Sequence, residues 1–469
     1  TGYVLLTPAW IAYSLFGDSS DTVGVVVVGS MVIALVVYLT LRPRPQFLPL
    51  LGLLAGLVVV ATGAGTAIDV NQAGEASPSS SDVADRASEG DSDLPNIYHV
   101  VLDEYQTEMF EAVLDDELRA SLGGFTWYPN AQTTWGRTEM SMATVLGHDE
   151  WDFESTASDY VEEALLGPTS SLQQLKDLGY ETSGYYHNPS SYGEPIPFDH
   201  RYLATDLSNS RPAADYGTLA TSLWLYANLP GRIAEPLIPA AQWAQLTGGT
   251  LLPDDAPSLS VDNFETFLAR ETRLPATGRY ELVHLLLPHF PYVLTPNCGF
   301  ESGTKTSPEE QTECAMVLMD ELIVRLERLD RFEDSVVVIQ GDHGASFALD
   351  GEGVLRSLGQ DLFSEEWSRA RSRPLLLVKP AGVSGDGELV ESDYPALLTD
   401  IMPTVFDSIG AELDVAEGRV SLLADELPPR DERLYHFYNL GPDGLPDEEV
   451  QRYVISGEVV TTDELIPVP

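Results

Sequence analysis

An aspartate and a histidine stand side by side after one of the most apolar runs of the chain. Val336–Ile339 consists of four branched apolar residues, and Gln340-Gly341 separates them from Asp342 and His343. Such a run predicts a buried strand, and ligands bind at the carboxyl ends of strands in an open α/β sheet. A carboxylate and a neutral imidazole can both bind a divalent metal, but a capped turn with a surface histidine explains the pair equally well.

A second apolar run ends in the same way. His99–Leu102 is followed by Asp103 and Glu104, which predicts another strand with a carboxylate at its carboxyl end. The alternative role for Asp103 is a helix N-cap, because strand-to-helix turns often use aspartate there. Two strands that both end in ligating side chains favour the metal interpretation.

Two hydroxyl groups begin a predicted helix between these strands. Thr138 and Ser141 are three residues apart and share one face of a helical apolar pattern that follows Gly136 and Arg137. A hydroxyl at a helix N-terminus lies at the positive end of the helix dipole, which stabilises an alkoxide and an incoming anion. Taken alone, this stretch is better explained as a plain N-cap.

In combination, the motifs resemble those of the alkaline phosphatase/sulfatase superfamily. Pro95–Ile97 is similar to the usual start of its catalytic domain, Arg373–Pro380 to its late core strand, and Asp400–Phe406 to its D-I-x-P-T helix. The motifs follow in the family's order from about Pro95 to Gly410. The resemblance implies an α/β fold with an alkaline-phosphatase-like, mostly parallel sheet flanked by helices. It also implies an enzyme that hydrolyses or transfers phosphate esters.

Within the superfamily, the chain resembles lipoteichoic acid synthases and phosphoethanolamine transferases. Those enzymes use a threonine nucleophile and one divalent metal ion. The resemblance implies that Thr138 is the nucleophile and that Asp103, Thr138, Asp342 and His343 bind one Mn, Mg, Zn or Ca ion. Asp103 stands where the transferases usually have glutamate, so Glu104 is an alternative ligand.

Two further stretches resemble substrate-contacting parts of the synthases. Gly179–His187 is similar to a strand that ends in a substrate-contacting histidine, and Leu287–Tyr292 is similar to a His-x-Pro-[Phe/Tyr] loop. The resemblance implies that His187 binds substrate and that His289 binds phosphate oxygens or protonates the leaving alkoxide. An imidazole pKa suits that task.

Arg137 and Ser141 are the remaining candidates for substrate binding, because they flank the predicted nucleophile. The other histidines are predicted to be packed or solvated residues; they are His99, His148, His200, His284 and His436.

Two other functions are compatible with the motifs. Thr138 cannot be converted to formylglycine, so a sulfatase of this sequence would be a sulfuric ester hydrolase without that group. A catalytically inactive, sulfatase-like surface-binding protein is the third alternative, although each predicted ligand position retains ligating chemistry. Two-metal phosphodiesterases have an additional Asp-x-x-x-His motif, and the matching position before His289 is Leu285, so one metal is predicted.

The N-terminal part of the chain is strongly apolar. It contains the runs Tyr3–Phe16, Val23–Leu41 and Phe47–Ile68, and the last two are long enough to span a bilayer. Residues 1–68 are therefore predicted to be a fragment of a transmembrane region with two or three spans. The basic Arg42–Pro45 loop predicts a cytoplasmic side. The predicted localisation is a multi-pass protein of the cell membrane with an extracytoplasmic catalytic domain.

Composition predicts three segments after Ile68. Residues 69–94 are predicted to be a disordered acidic linker, 95–425 the catalytic domain, and 426–469 a C-terminal acidic extension. Within the catalytic domain, residues 213–264 lack clear strands and are predicted to be an insertion or cap.

The charge balance restricts the classes of molecule that the chain is expected to bind. The chain has 73 acidic and 25 basic residues, with a formal net charge of -48, which disfavours nucleic acid as a partner. Such a surface is typical of a halophilic or salt-tolerant protein. The resemblance and the predicted membrane helices together imply a phospholipid or cell-surface glycan as substrate.

The chain contains only two cysteines, Cys298 and Cys314, in a polar stretch. They could close a short loop as a disulfide in an oxidising compartment, or they could be two buried thiols.

Overall fold

The computed structural model describes residues 94–187, 192, 196–204, 256–301, 306–359, 364–439, 441, 444–446, 448–457 and 459–468. The strands in these residues are β1 (Ile97–Leu102), β2 (Thr126–Trp127), β3 (Glu181–Tyr186), β4 (His200–Leu203), β5 (Arg279–Leu285), β6 (Val336–Gly341), β7 (Phe347–Leu349), β8 (Leu355–Ser357), β9 (Leu376–Lys379), β10 (Val390–Glu391), β11 (Arg433–Tyr438), β12 (Glu449–Ser456) and β13 (Val459–Pro467). The helices are α1 (Thr107–Val113), α2 (Asp116–Ser121), α3 (Thr138–Leu146), α4 (Ala157–Leu166), α5 (Ser171–Asp177), α6 (Ala256–Glu271), α7 (Pro308–Arg328), α8 (Glu365–Ser372) and α9 (Ile401–Ser408).

Eight strands form one central sheet in the order β10-β2-β9-β6-β1-β5-β3-β4. Strands β6, β1, β5, β3 and β4 are parallel to one another, and β9 is antiparallel to both of its neighbours. Leu102 lies opposite both Gly341 and Leu285, so β1, β6 and β5 end at the same edge of the sheet. The predicted α/β fold with a mostly parallel sheet is confirmed.

Helices cover both faces of this sheet. Val101 of β1 belongs to the apolar layer that includes residues of α3, α4, α5 and α9. Val100 and Leu102 belong to the opposite layer, with residues of α1, α6 and α7. Because both faces are buried, the central strands have continuous apolar runs rather than an alternating pattern.

A second sheet, β11-β12-β13, is antiparallel and lies in the C-terminal extension. Its aromatic side chains Tyr435, Phe437 and Tyr453 form an apolar cluster with Trp367 of α8. The acidic composition of residues 426–469 predicted only an extension here and did not indicate a sheet. The buried aromatic residues give this small sheet its own packed face.

No helix in the described part of the chain is both long and apolar enough to cross a bilayer. For these residues the predicted localisation, a multi-pass protein of the cell membrane, is wrong. Helix α7, for example, has 21 residues, but its apolar side chains form one stripe against the sheet and charged residues occupy most of its remaining surface. The three apolar runs within residues 1–68, and the linker up to residue 93, lie outside the described residues.

The predicted insertion also lies largely outside the described residues, since 205–255 are not described. Residues 256–264 form the first half of α6, whose buried side chains, Phe264 among them, pack in the core. Cys298 and Cys314 are joined in a disulfide with a Cα–Cα distance of 5.0 Å, which ties the loop before α7 to that helix.

Candidate active site and metal centre

The aligned ends of β1 and β6 bring three buried ligating side chains together. Asp103 directly follows β1, and Asp342 and His343 directly follow β6. One ligand atom from each of the three residues lies within 4.8 Å of the others. The side chains that the sequence predicted as metal ligands from these two strands therefore share one site.

Asp342 is held by hydrogen bonds from three elements. Its Oδ1 accepts from the backbone N–H of Glu104 at 3.0 Å and of His343 at 2.8 Å. Its Oδ2 accepts from the Thr138 hydroxyl at 2.6 Å. The predicted nucleophile is thus in direct contact with a predicted metal ligand, and its proton has a carboxylate acceptor.

Ser141 lies one helical turn after Thr138, but it is buried behind the site. Its hydroxyl donates to the backbone carbonyl of Asp342 at 2.6 Å and also lies 3.0 Å from the Thr133 hydroxyl. The structure therefore gives Ser141 a place in anchoring the end of β6 to α3. Ser141 is 1% exposed, and its predicted contact with substrate stays a prediction.

Thr138 is the first residue of α3, and the loop before it is fixed by the C-terminal sheet. The His436 N–H donates to the carbonyl of Thr134 at 2.8 Å, and the Gly136 N–H donates to the carbonyl of His436 at 3.1 Å. A Cβ at Gly136 would lie 2.1 Å from the Tyr435 hydroxyl, so only glycine fits there. Strand β11 thus helps to position the nucleophile, and the sequence did not reveal this contact.

The donor set suits a divalent cation. His343 Nδ1 lies 3.0 Å from the carbonyl of Gly344, which can only accept, so Nδ1 carries the proton and Nε2 keeps its lone pair. Burial lowers the pKa of His343, which favours the neutral ligand form. Asp103 Oδ1 is buried and has no hydrogen-bond partner among the described residues. An oxygen in that condition is best explained by a ligand that the protein itself does not supply.

Glu104, the alternative ligand, instead forms an ion pair with Arg371 at 2.5 Å. A second nitrogen of Arg371 donates to the carbonyl of Gly136 at 2.9 Å. Burial would raise the pKa of Glu104, but the charges of His289 and Arg371 lower it to about 2. Its backbone φ of 60° is unusual for a residue with a side chain, as is often seen at functional sites.

Arg371 was not predicted from the sequence. It lies on α8, 267 residues along the chain from Glu104, and no local motif indicates a contact over that separation. The Glu104–Arg371 pair links the end of β1, the loop before α3, and α8.

Histidines from β3 and β5 complete this edge of the sheet. His187 directly follows β3, and its buried Nδ1 has no hydrogen-bond partner among the described residues. Burial and the nearby His284 lower the pKa of His187 to about 4. His289 Nε2 lies 4.0 Å from Glu104 Oε1. Burial lowers the pKa of His289, but the carboxylates of Glu104 and Asp103 outweigh it and raise the pKa overall.

Two charged neighbours flank Thr138. The Arg137 guanidinium lies 4.9 Å from the centre of the Phe437 ring, and its Nε has no hydrogen-bond partner in the described part of the chain. Burial raises the pKa of Glu139 to about 7. Of the two, Arg137 was predicted from the sequence, and the structure places it beside the nucleophile at the edge of the C-terminal sheet.

No protein-family model matches the chain, and no curated protein matches it either. Solved structures do. A protein of the alkaline phosphatase superfamily from Vibrio parahaemolyticus is 14% identical, with a TM-score of 0.49, over 81% of this chain and 83% of that one. The solved structures that the chain resembles are alkaline phosphatase superfamily members.

Two further matches are enzymes by name. The phosphonate monoester hydrolase of Silicibacter pomeroyi is 14% identical, with a TM-score of 0.47, over 80% of this chain and 89% of that one. The lipoteichoic acid synthase LtaP of Listeria monocytogenes is 13% identical, with a TM-score of 0.46, over 79% of this chain and 86% of that one. At these identities and TM-scores, the support for a function comes from the geometry of the site.

Proposed function

We propose that this chain is a divalent-metal-dependent enzyme that transfers or hydrolyses a phosphate ester with Thr138 as its nucleophile. One observation carries the proposal: the Thr138 hydroxyl donates to Asp342 at 2.6 Å, and Asp342 lies with Asp103 and His343 in one buried cluster of ligands. A hydroxyl at a helix N-terminus, beside carboxylates and a neutral imidazole, is an arrangement that activates an alcohol toward an anion.

Asp103, Asp342 and His343, with Thr138, would hold the metal ion. When bound, such an ion lowers the pKa of a hydroxyl and offsets negative charge on the phosphoryl oxygens. The proposed ion is one of Mn, Mg, Zn and Ca, and the experiment below identifies which of them supports turnover.

The first step uses groups that already face each other. Thr138 Oγ1 attacks phosphorus while its proton passes to Asp342 Oδ2, and the bond from phosphorus to the leaving oxygen breaks. His289, whose pKa is raised, supplies the proton that the leaving alkoxide takes up. In the second step water or an acceptor hydroxyl attacks phosphorus and its proton passes to the neutral His289 imidazole, while Asp342 returns its proton to the departing Thr138 oxygen.

His187 and Arg137 would bind the substrate, since each has a buried nitrogen without a partner in the described residues. The proposed substrate class is a phospholipid head-group or surface-glycan ester, as the motif resemblance implies. A sulfate ester is the second candidate, because the same anion-binding geometry accommodates it. Thr138 favours phosphate, since it cannot form the formylglycine that sulfatases use.

The test is a panel of phosphate monoesters, phosphodiesters and sulfate esters, assayed with each of the four metals after removal of bound ions. We expect turnover of a phosphate ester that depends on one of these metals. Thr138→Ala should abolish it, Thr138→Ser should retain part of it, and Thr266→Ala, a matched deletion on α6, should leave it unchanged. Equal turnover by Thr138→Ala and the parent protein would remove Thr138 as the nucleophile.

A further inference from the structure

We infer that His284 is a positioning residue that orients the carboxylate of Asp103, and that Tyr192 fixes the orientation of His284. This inference rests on the metal site of the proposed function. Neither residue belongs to a motif that the sequence singled out, and His284 was predicted to be a packed or solvated residue.

The strand register brings His284 to Asp103. Val101 of β1 pairs with His284 of β5, and Asp103 follows Val101 by two residues. Side chains alternate between the faces of a sheet, so His284 and Asp103 point to the same side. His284 Nε2 accordingly lies 3.7 Å from Asp103 Oδ2, and both side chains are more than nine-tenths buried.

Tyr192 decides which nitrogen of His284 carries the proton. Its hydroxyl lies 2.8 Å from His284 Nδ1, and the tyrosine is fully buried. If Nδ1 donated to this hydroxyl, the lone pair of Nε2 would face the carboxylate of Asp103, and the two would repel each other. The favourable arrangement has Tyr192 donating to Nδ1, which leaves Nε2–H directed toward Asp103.

Asp103 is the acceptor that His284 has available. Nε2 of His284 has no other partner among the described residues. The Nε2–Oδ2 separation of 3.7 Å is longer than a hydrogen bond but allows one after a small movement of either side chain. With Oδ2 directed toward His284, the partnerless Oδ1 is left free for a ligand.

Groups that orient metal ligands in this way influence metal affinity although they never contact the ion. Their removal typically lowers metal affinity about 10- to 100-fold. A histidine that served only to fill the core would instead affect folding stability and leave the affinity for metal unchanged.

The same pair of strands supplies a matched control. His99 of β1 is fully buried, and its Nδ1 lies 2.9 Å from the Tyr280 hydroxyl of β5. This second histidine–tyrosine pair has no described contact with Asp103. Substitutions in it measure what the loss of a buried histidine–tyrosine hydrogen bond does to the fold alone.

The test measures the affinity of the apo protein for Mn²⁺ by isothermal titration calorimetry, together with the melting temperature without metal. We expect His284→Leu to weaken Mn²⁺ binding about 10- to 100-fold. Tyr192→Phe should weaken it in the same direction by less, and should add nothing in the His284→Leu background. His284→Gln, which keeps an N–H donor, should restore part of the affinity. His99→Leu and Tyr280→Phe should lower the melting temperature only.

The outcomes separate this inference from the proposed function. If the parent binds Mn²⁺ and both His284→Leu and Tyr192→Phe bind it equally tightly, His284 does not position Asp103, while the metal site stands. If the parent binds none of the divalent ions Mn²⁺, Mg²⁺, Zn²⁺ and Ca²⁺, the proposed function fails and this inference fails with it. Should His284→Leu not fold, the affinity of Tyr192→Phe decides between the two roles of His284, because that substitution removes a single oxygen.

Discussion

Glu104 has two separate roles at the site, one for its side chain and one for its backbone N–H. Its carboxylate forms an ion pair with Arg371 and lies 4.0 Å from His289 Nε2, while its backbone N–H donates to Asp342. The carboxylate thus contributes to the raised pKa of His289, and the backbone orients a metal ligand. A substitution of the side chain tests the first effect and leaves the second in place.

Glu104→Gln should shift the alkaline limb of the pH profile of kcat/KM to lower pH. Loss of the carboxylate removes the largest influence that raises the pKa of His289, so the protonated form is lost earlier as the pH rises. The measurement is the pH–rate profile with the best phosphate ester. Glu108→Gln is the control, because Glu108 pairs with Arg373 at 3.1 Å, away from His289. An alkaline limb that stays in place would show that His289 is not the general acid.

Residue motifs were sufficient to predict Asp103, Asp342 and His343 as neighbours, because each follows an apolar run at a strand end. The structure brings these three together. Arg371 and His284 could not be predicted in this way, since the first contact depends on where α8 packs and the second on the register of β1 and β5. Ser141 shows the opposite limit: its spacing from Thr138 indicated a shared face, but spacing alone did not reveal its hydrogen bond to the backbone carbonyl of Asp342.

At the scale of elements, backbone hydrogen bonds join the C-terminal sheet to the loop that precedes Thr138. Strand β11 exchanges backbone hydrogen bonds with Thr134 and Gly136, and Tyr435 closes the space above Gly136. The nucleophile is therefore positioned by residues almost three hundred positions later in the chain.

Gly136→Ala should lower kcat and destabilise the protein by about 1–3 kcal/mol, because the new methyl group overpacks the contact with Tyr435. Urea unfolding and the rate with the best substrate measure the two effects. Adding Tyr435→Phe should recover part of both, since it removes the atom nearest to the methyl. Gly351→Ala is the control, because its Cβ would meet nothing within 4 Å. If Gly136→Ala is as active and stable as the control, the loop does not depend on this contact.

Helix boundaries followed local capping signals where those were strong. Ser307 and Glu310 form a capping box that begins α7 at Pro308. Helices α1 and α2 are separate, since the Asp115 side chain accepts from the Leu118 N–H and begins α2 anew. The C-terminal sheet was underestimated because its acidic composition concealed the alternation of its buried aromatic residues.

At the scale of the whole molecule, the formal net charge of -48 opposes compaction. The free energy of unfolding should therefore increase as NaCl is raised, because the screening length falls from roughly 30 Å at 0.01 M to roughly 3 Å at 1 M. Urea unfolding at several NaCl concentrations measures this, and sucrose at matched osmolality controls for solvent exclusion. A free energy that is unaffected by NaCl would mean that self-repulsion does not limit stability.

The order of motifs along the chain predicted the fold class, because alternating strands and helices restrict the chain to few topologies. Localisation was not predictable in the same way. The predicted localisation rested on apolar runs within residues 1–68. Within the described residues, no helix is long and apolar enough to cross a bilayer. Apolar composition is common to core and membrane segments, whereas the spacing of ligands after strands is specific to a site.

Thr138 as the nucleophile is the central element of the proposed chemistry, and a trapped intermediate tests it directly. The protein with its preferred metal is mixed with excess phosphate ester, quenched in acid during the first turnover, digested, and mapped by mass spectrometry. We expect a phosphoryl adduct on Thr138 that is absent from Thr138→Ala. Turnover of the ester without any adduct on Thr138, or an adduct on another side chain, would contradict the proposed role of Thr138.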